Sequence, residues 1–130
     1  RMPGIIGHGF YGVWLLNTIE QFRRNDPVRI YSPDFATRNF VWNDDLANFV
    51  AHLLRMEDWK YDVVCLSSHE KTTAWELVHE IKRLTNSTSK IVVDNDLREP
   101  FCMDDNRAVE MGYVSISPME MVKRMCEYNA

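Results

Sequence analysis

Glycines near the start of the chain have the spacing that most resembles a phosphate-binding motif. Gly7, Gly9 and Gly12 match the pattern G-x-G-x-x-G, in which backbone N–H groups receive the pyrophosphate of a dinucleotide. Such a loop must follow a strand, open a helix and precede an acidic residue about 20 positions on, at the end of a second strand. Asp34 stands at about that distance, but in a turn sequence after only one predicted helix. We therefore do not expect a dinucleotide-binding loop here.

The other motifs that carry chemistry are missing from the sequence. It has no Gly-Lys-Ser/Thr of a phosphate-binding P-loop, no G-x-S-x-G elbow, and no second histidine to complete a zinc site with His69-Glu70. The four histidines and three cysteines lack the spacing of metal ligands. We therefore expect no metal site and no catalytic residue in this chain. The odd, widely spaced cysteines indicate reduced thiols and a cytoplasmic protein.

One arginine and two aspartates flank a short apolar run in the stretch TRNFVWNDDLANFVAHLL. A guanidinium is permanently charged and forks onto phosphate oxygens, so Arg38 is a candidate phosphate ligand. The alternative is a solvated charge at a strand end. Asp44 and Asp45 need no catalytic role, because acids are favoured in the first turn of a helix that Asn43 can cap. The apolar residues that follow repeat at helical spacing and predict one buried face: Leu46, Phe49, Val50, Leu53 and Leu54.

The elements around these residues alternate between strand and helix, which predicts an α/β fold in one domain without repeats. Thr73 with Glu76, and Ser117 with Glu120, have the spacing of the capping box that begins a helix. Helices are predicted for VWLLNTIEQFRR, for the stretch from Asn43, behind Thr73, for DDNRAVEM before Gly112, and from Pro118. Strands are predicted for VRIY, RNFVW, YDVVCLSS and KIVVD, and the unbroken apolar run of the third predicts a strand covered on both faces.

The composition of the chain argues against some classes of binding partner. The 130 residues carry a formal net charge of -4, which argues against a nucleic-acid surface or an anionic membrane partner. No apolar run approaches the roughly 18 residues of a membrane span, and no signal peptide is visible. Hydrophobic residues make up 45% of the chain, enough for an ordinary globular core.

Four segments, in this order, resemble the C-terminal half of the extended short-chain dehydrogenase/reductases, the NAD-dependent epimerase/dehydratase family that acts on nucleotide sugars. The segments are RMPGIIGHG, VRIYSPDFATRNFVWNDDLANF, VVCLSSHEKTTAWELVHEI and REPFCMDDNRAVEMGYVSISPMEMV. The resemblance implies an α/β fold, the C-terminal portion of an extended Rossmann-type protein with mixed short strands and about five helices. Residues 1–130 would form a single substrate-binding portion. The N-terminal cofactor-binding domain, with its catalytic Tyr-x-x-x-Lys, would lie outside this chain.

The resemblance also implies roles for particular residues. Arg38 and Arg98 match arginines that contact the diphosphate of a nucleotide sugar, and Tyr31 matches an aromatic residue near the nucleobase. Pro3 and Gly4 match the segment that passes the nicotinamide ring, where small residues permit close approach. For Tyr31 the alternative is an aromatic residue at the core edge. For Arg98 it is an ion pair with the neighbouring Glu99 or Asp96.

The chain also departs from the family pattern. Ser32, Pro33 and Phe35 replace the usual glycines between Tyr31 and the arginine, and Asn39 replaces the common aspartate after it. These changes fall on the loop of the nucleotide pocket and leave the identity of the substrate open.

The sequence therefore predicts the substrate-binding part of an NAD(P)-dependent nucleotide-sugar epimerase or dehydratase. NAD or NADP would serve the full-length protein, none would be bound to this portion, and the portion alone would be inactive. The alternatives are a non-enzymatic cofactor-binding regulator of the same superfamily and a free-standing α/β module that binds a phospho-ligand. An apolar surface left open by the absent half predicts self-association.

Overall fold

The computed structural model describes residues 1–94 and 101–128. Arg98 lies outside the described residues, so its predicted role has no structural counterpart here. Within these ranges the helices are α1 (Trp14–Arg23), α2 (Asn43–Leu53), α3 (Ala74–Leu84), α4 (Asn106–Glu110) and α5 (Pro118–Tyr128). The strands are β1 (Gly4–Ile6), β2 (Val28–Tyr31), β3 (Ala36–Thr37), β4 (Phe40–Trp42), β5 (Thr72–Thr73) and β6 (Ile91–Asp94). The predicted α/β class with about five helices is confirmed.

Three strand pairs are present in the described ranges. β1 pairs with β4 and β2 with β6, both parallel, while β3 and β5 are antiparallel. The register places Val28 beside Ile91 and Tyr31 beside Asp94. Parallel pairs are usually covered on both faces. Here α1 and α3 contact β2 and α2 contacts β4, whereas Val92 and Val93 of β6 are 39% and 42% exposed. The sequence did not predict β3 and β5, because two-residue strands leave no periodic signal.

The main core forms where α1, α3 and α5 pack against one another and against the parallel strands. Each helix contributes one apolar face, as amphipathic spacing predicts. The fully buried side chains include Ile6, Leu15, Phe22, Val28, Phe40, Leu77, Val78, Ile81, Met121 and Val122. A second cluster lies between β4, α2, the 61–66 segment and α4: Val41, Phe49, Leu66, Ala108, Met111 and Tyr113.

Helix ends follow the capping predictions at α3 and α5. The Thr73 hydroxyl accepts from the Glu76 N–H at 3.1 Å and the Thr73 N–H donates to Glu76 Oε2 at 2.8 Å, which confirms the capping box. At α5 the Glu120 N–H donates to Ser117 Oγ at 3.2 Å. These bonds satisfy N–H groups that a helix N-terminus leaves without partners. None of the described helices is long and apolar enough to cross a membrane.

The start of α2 differs from the prediction. The helix begins at Asn43 itself, Trp42 holds the cap position, and no side chain caps it. The acids do lie in the first turn, and Asp45 has a further function, because its Oδ2 accepts from the Ile116 N–H at 2.8 Å. Burial raises the pKa of Asp45, against that hydrogen bond, which lowers it. Asp45 thus holds the chain before α5 against α2.

The predicted buried face of α2 is only partly buried. Phe49 is buried, whereas Val50 is 46% and Leu54 is 78% exposed. Spacing alone gives the side of a helix on which apolar residues gather. It does not give the width of the surface that covers that side. Here Leu46 and Leu53 are partly buried against the same cluster as Phe49, and Val50 and Leu54 lie outside the cover.

The predicted strand YDVVCLSS is absent. The Leu66 N–H donates to the Arg1 carbonyl oxygen at 3.0 Å and the Arg1 amino group donates to the Val64 carbonyl oxygen at 2.6 Å. These two bonds align the segment beside the start of the chain but are too few to form a ladder. Leu66 is buried, while Val63 is 62% exposed. The apolar run predicted cover along its whole length, whereas the described residues bury its end, from Leu66 to Ser68, and leave Val63 exposed.

Candidate ligand-binding pocket

A cavity of about 530 Å³ opens between α1, β2 and the 35–39 segment. Its volume lies within the range of small-molecule sites, roughly 300–1,000 Å³. Aromatic side chains from distant parts of the chain line it: Trp14, Tyr31, Phe35 and Phe101. Polar side chains lie among them: Asn17, Gln21, Arg29, Thr37 and Asn39. The cavity therefore combines flat apolar surfaces with a few hydrogen-bonding groups, as ligand sites commonly do.

The aromatic lining is only partly covered by the protein. Trp14 is 41% exposed, Tyr31 37% and Phe101 69%. Rings of this size gain free energy when they are buried, and several of them around one cavity form a surface that a flat ligand could cover. Tyr31, predicted near a nucleobase, is one of the rings that line this cavity. The contact itself stays a prediction.

Arg29 provides a positive charge at this cavity. Its Nη1 donates to Asp94 Oδ2 at 2.9 Å, across the β2–β6 pair. The hydrogen bond and charge of Asp94 raise the pKa of Arg29. The Arg29 side chain is 62% exposed, so it can also reach a ligand anion. Arg29 was not among the predicted site residues, because nothing in VRIY distinguishes a pocket arginine from a solvated one.

Arg38 lies next to the cavity wall but is not one of the lining residues. Its Nε donates to the Met103 carbonyl oxygen at 3.0 Å, Nη1 lies 3.0 Å from Asp105 Oδ1 and Nη2 lies 3.6 Å from Asp104 Oδ1. The Arg38 side chain is 16% exposed and that of Asp105 is 2% exposed. A solvated strand-end charge, the alternative from the sequence, does not fit this burial. The predicted diphosphate contact stays a prediction.

Asn39, the residue after it, fastens a distant segment to the cavity wall. Its Nδ2 donates to the Phe101 carbonyl oxygen at 2.7 Å, and its Oδ1 accepts from the Met103 N–H at 2.8 Å. Arg38 and Asn39 together thus satisfy three backbone groups between residues 101 and 103. These two side chains, which directly precede β4, thereby place the Phe101 backbone at the cavity.

Pro3 and Gly4, predicted near a nicotinamide, lie at the start of β1 and are not among the residues that line this cavity. A Cβ added to Gly4 would lie 2.9 Å from Val13 Cγ1, so packing within the chain already requires a small residue there. Of the predicted site residues, the structure brings Tyr31 to the cavity and Arg38 beside it. Among the described residues no group of side chains could hold a metal ion.

The sequence matches no family model and no curated protein. Solved structures do match. A UDP-glucose 4-epimerase from Thermotoga maritima, solved with UDP-glucose, is 25% identical, with a TM-score of 0.74 over 99% of this chain and 44% of its own. A UDP-glucuronic acid 4-epimerase from Bacillus cereus, in complex with NAD, is 13% identical, with a TM-score of 0.80 over 98% of this chain and 42% of its own.

A GDP-mannoheptose C4 reductase from Campylobacter jejuni, with NADP bound, is 15% identical, with a TM-score of 0.76 over 98% of this chain and 48% of its own. The chain spans less than half the length of each of these three proteins. Over that part of their length it has the fold of the NAD(P)-dependent nucleotide-sugar epimerases and reductases, and the resemblance to that family seen in its sequence is confirmed.

Proposed function

We propose that this chain is the nucleotide-sugar-binding part of an NAD(P)-dependent epimerase or dehydratase. The observation that carries the proposal is the cavity of about 530 Å³, with partly exposed aromatic rings beside a guanidinium. Its chemistry fits a nucleoside diphosphate, which has one flat heteroaromatic ring and one anionic end. The similarity to an epimerase solved with UDP-glucose at 25% identity supports the same ligand class.

The two ends of such a ligand would meet different side chains. The aromatic rings, Tyr31 among them, would cover the faces of the base, and base–aromatic stacking contributes about 1–3 kcal/mol per base. Arg29 would reach phosphate oxygens with the donors that its ion pair to Asp94 leaves exposed. Arg38 could do so only if its guanidinium shared its donors between phosphate and its present partners, Asp104 and Asp105. Arg98, predicted as the second diphosphate arginine, remains part of the proposal by resemblance alone.

Catalysis would depend on the part of the protein that carries the cofactor and the Tyr-x-x-x-Lys. When bound, NAD or NADP would accept and return a hydride. Pro3 and Gly4 carry no charged group for a cofactor phosphate and could offer only a close backbone approach. We therefore expect no epimerase turnover from this chain alone with added cofactor. Substantial turnover would contradict this part of the proposal.

Calorimetric titration of the chain with UDP tests the ligand class. We expect saturable binding that Tyr31→Ala weakens about tenfold, because one stacking surface is lost. Arg29→Lys keeps the charge but not the fork, and at this cavity-lining arginine it should weaken UDP binding while leaving uridine binding unchanged. Arg55→Lys, a matched change at an exposed arginine, should have no effect. Absence of UDP binding by the unaltered chain would overturn the proposal.

We also propose that the chain self-associates, as its sequence predicts. Exposed apolar side chains on and near α2 support this: Val50, Leu54 and Val63. Sedimentation velocity at increasing concentration should reveal assembly that Leu54→Glu reduces. A strictly monomeric chain would contradict it. A cytoplasmic location is proposed on the chemistry of Cys65, Cys102 and Cys126, which are all free thiols.

A further inference from the structure

The side-chain amide of Asn39 forms hydrogen bonds through both its nitrogen and its oxygen to one distant segment of the chain. The Phe101 carbonyl can only accept and the Met103 N–H can only donate, so these partners fix which amide atom faces which. An aspartate could accept from Met103 in the same way. It would, however, place a carboxylate oxygen against the Phe101 carbonyl oxygen, and two acceptors repel. An amide is therefore required at position 39.

The segment to which Asn39 is hydrogen-bonded contains an aromatic side chain, Phe101, that is not buried in the core. Phe101 is 69% exposed and lines the same cavity as Tyr31 and Asn39 itself. An exposed phenylalanine ring contributes little to folding. If a flat ring lay in the cavity, however, the Phe101 ring would gain a partner, and its position relative to that ligand would decide the strength of stacking.

We propose that Asn39 is a positioning residue, which sets Phe101 as one aromatic wall for the base of a bound nucleoside diphosphate. The inference rests on the proposed function, because it specifies how the same cavity recognises its ligand. Asn39 acts through the Phe101 backbone and not by its own contact with the base. Asn39 and Phe101 should therefore contribute to affinity as one unit.

A double-mutant cycle with UDP as the probe tests this. Phe101→Ala should raise the dissociation constant about tenfold, and Phe101→Tyr, which keeps a ring, should bind nearly as the unaltered chain does. Asn39→Asp should weaken binding to a similar degree. In the Phe101→Ala background, Asn39→Asp should cause almost no further loss. Equal weakening by Asn39→Asp in both backgrounds would overturn the inference.

The matched control is Asn48→Asp on α2, which adds the same charge at an exposed asparagine outside the cavity. It should leave UDP affinity unchanged. A comparable loss in Asn48→Asp would indicate general repulsion between the protein and the anionic ligand and would contradict a local role for Asn39. A thermal unfolding curve of each variant checks that the variant is folded at the temperature of the binding measurement.

A pH series gives a second readout, which tests the hydrogen bond from position 39 to the Phe101 carbonyl. An aspartic acid ordinarily has a pKa of about 3.9, and its neutral form regains a donor. The ratio of the Asn39→Asp and unaltered dissociation constants should therefore fall toward one as pH decreases through that range. A ratio independent of pH would contradict the inference. Failure of the unaltered chain to bind UDP would remove the proposed function, whereas normal binding by Phe101→Ala would remove this inference alone.

Discussion

The aromatic side chains on the two faces of α1 differ in how far they are buried. Phe22 faces the helical core and is 1% exposed, whereas Trp14 lines the cavity and is 41% exposed. Asn17 and Gln21 lie one and two turns after Trp14 and line the same cavity. One helix thus packs into the core on one face and lines the cavity on the other. Changes on the two faces should separate stability from binding.

The hydrogen bonds of the α3 cap and of the cavity wall differ in the sequence separation that they span. The capping box of α3 joins residues three apart in sequence. The bonds of Asn39 and Arg38 to Phe101 and Met103 join residues more than 60 apart. Local bonds form with their helix, whereas the cavity wall depends on the complete fold. The cavity is therefore the region that a small loss of tertiary order should affect first.

The largest effect is expected from Leu77→Ala in the core. Leu77 is fully buried, so removing its side chain leaves a cavity and should lower the free energy of unfolding by about 2–5 kcal/mol. UDP affinity measured where the protein is still folded should not change. Urea denaturation checks the first statement and calorimetry the second. Leu54→Ala, at a 78% exposed position, should cost less than about 0.5 kcal/mol.

Trp14→Ala should have the opposite profile. It removes a cavity wall, so UDP affinity should fall about tenfold. Stability should fall less than in Leu77→Ala, although the contact of the Trp14 ring with Phe40, 5.8 Å between centroids, is lost. Trp59→Ala is the matched control, because Trp59 is 56% exposed and outside the cavity. Equal affinities of the two variants would mean that Trp14 does not contact the ligand.

A smaller effect is expected at the α3 cap. Thr73→Ala removes the hydroxyl that accepts from the Glu76 N–H and should cost about 1 kcal/mol of stability. Thr73→Ser keeps a hydroxyl and should cost much less. Chemical denaturation measures both. A loss as large in the serine variant would assign the effect to the methyl group instead of the cap.

The smallest effect concerns the charge of Glu76. Hydrogen bonds from the Thr73 N–H and hydroxyl lower the pKa of this carboxyl. A lowered folded-state pKa stabilises above the unfolded value, about 4.3 for glutamate, and the contribution is lost as pH falls through the folded value. The stability difference between the unaltered chain and Glu76→Gln should be constant near neutrality and vanish in acid. A difference that grows as pH falls would contradict this assignment.

Features with a local physical cause were predictable from sequence. Thr73 with Glu76 placed the start of α3, and Leu77, Val78 and Ile81 are the residues that this amphipathic helix buries. The fold class and the family resemblance were likewise visible in the sequence. These signals need no knowledge of distant contacts.

Features that depend on distant partners were not predictable. The apolar run around Val63 reads as a buried strand, but its burial depends on neighbours that the sequence does not specify. Phe101 gives no signal of a cavity wall until Asn39 is known to hold its backbone. Asn39 itself was noticed only as a departure from the family's aspartate. The structure supplies the reason for an amide at this position.

The most direct test of the ligand assignment is an amide chemical-shift map of the ¹⁵N-labelled chain titrated with UDP. We expect the largest shifts at residues 29–32 and 35–39 and at the side-chain amides of Asn17 and Gln21, with little change in α2. Shifts concentrated on α2, or none at saturating UDP, would contradict the claim that this cavity binds a nucleoside diphosphate.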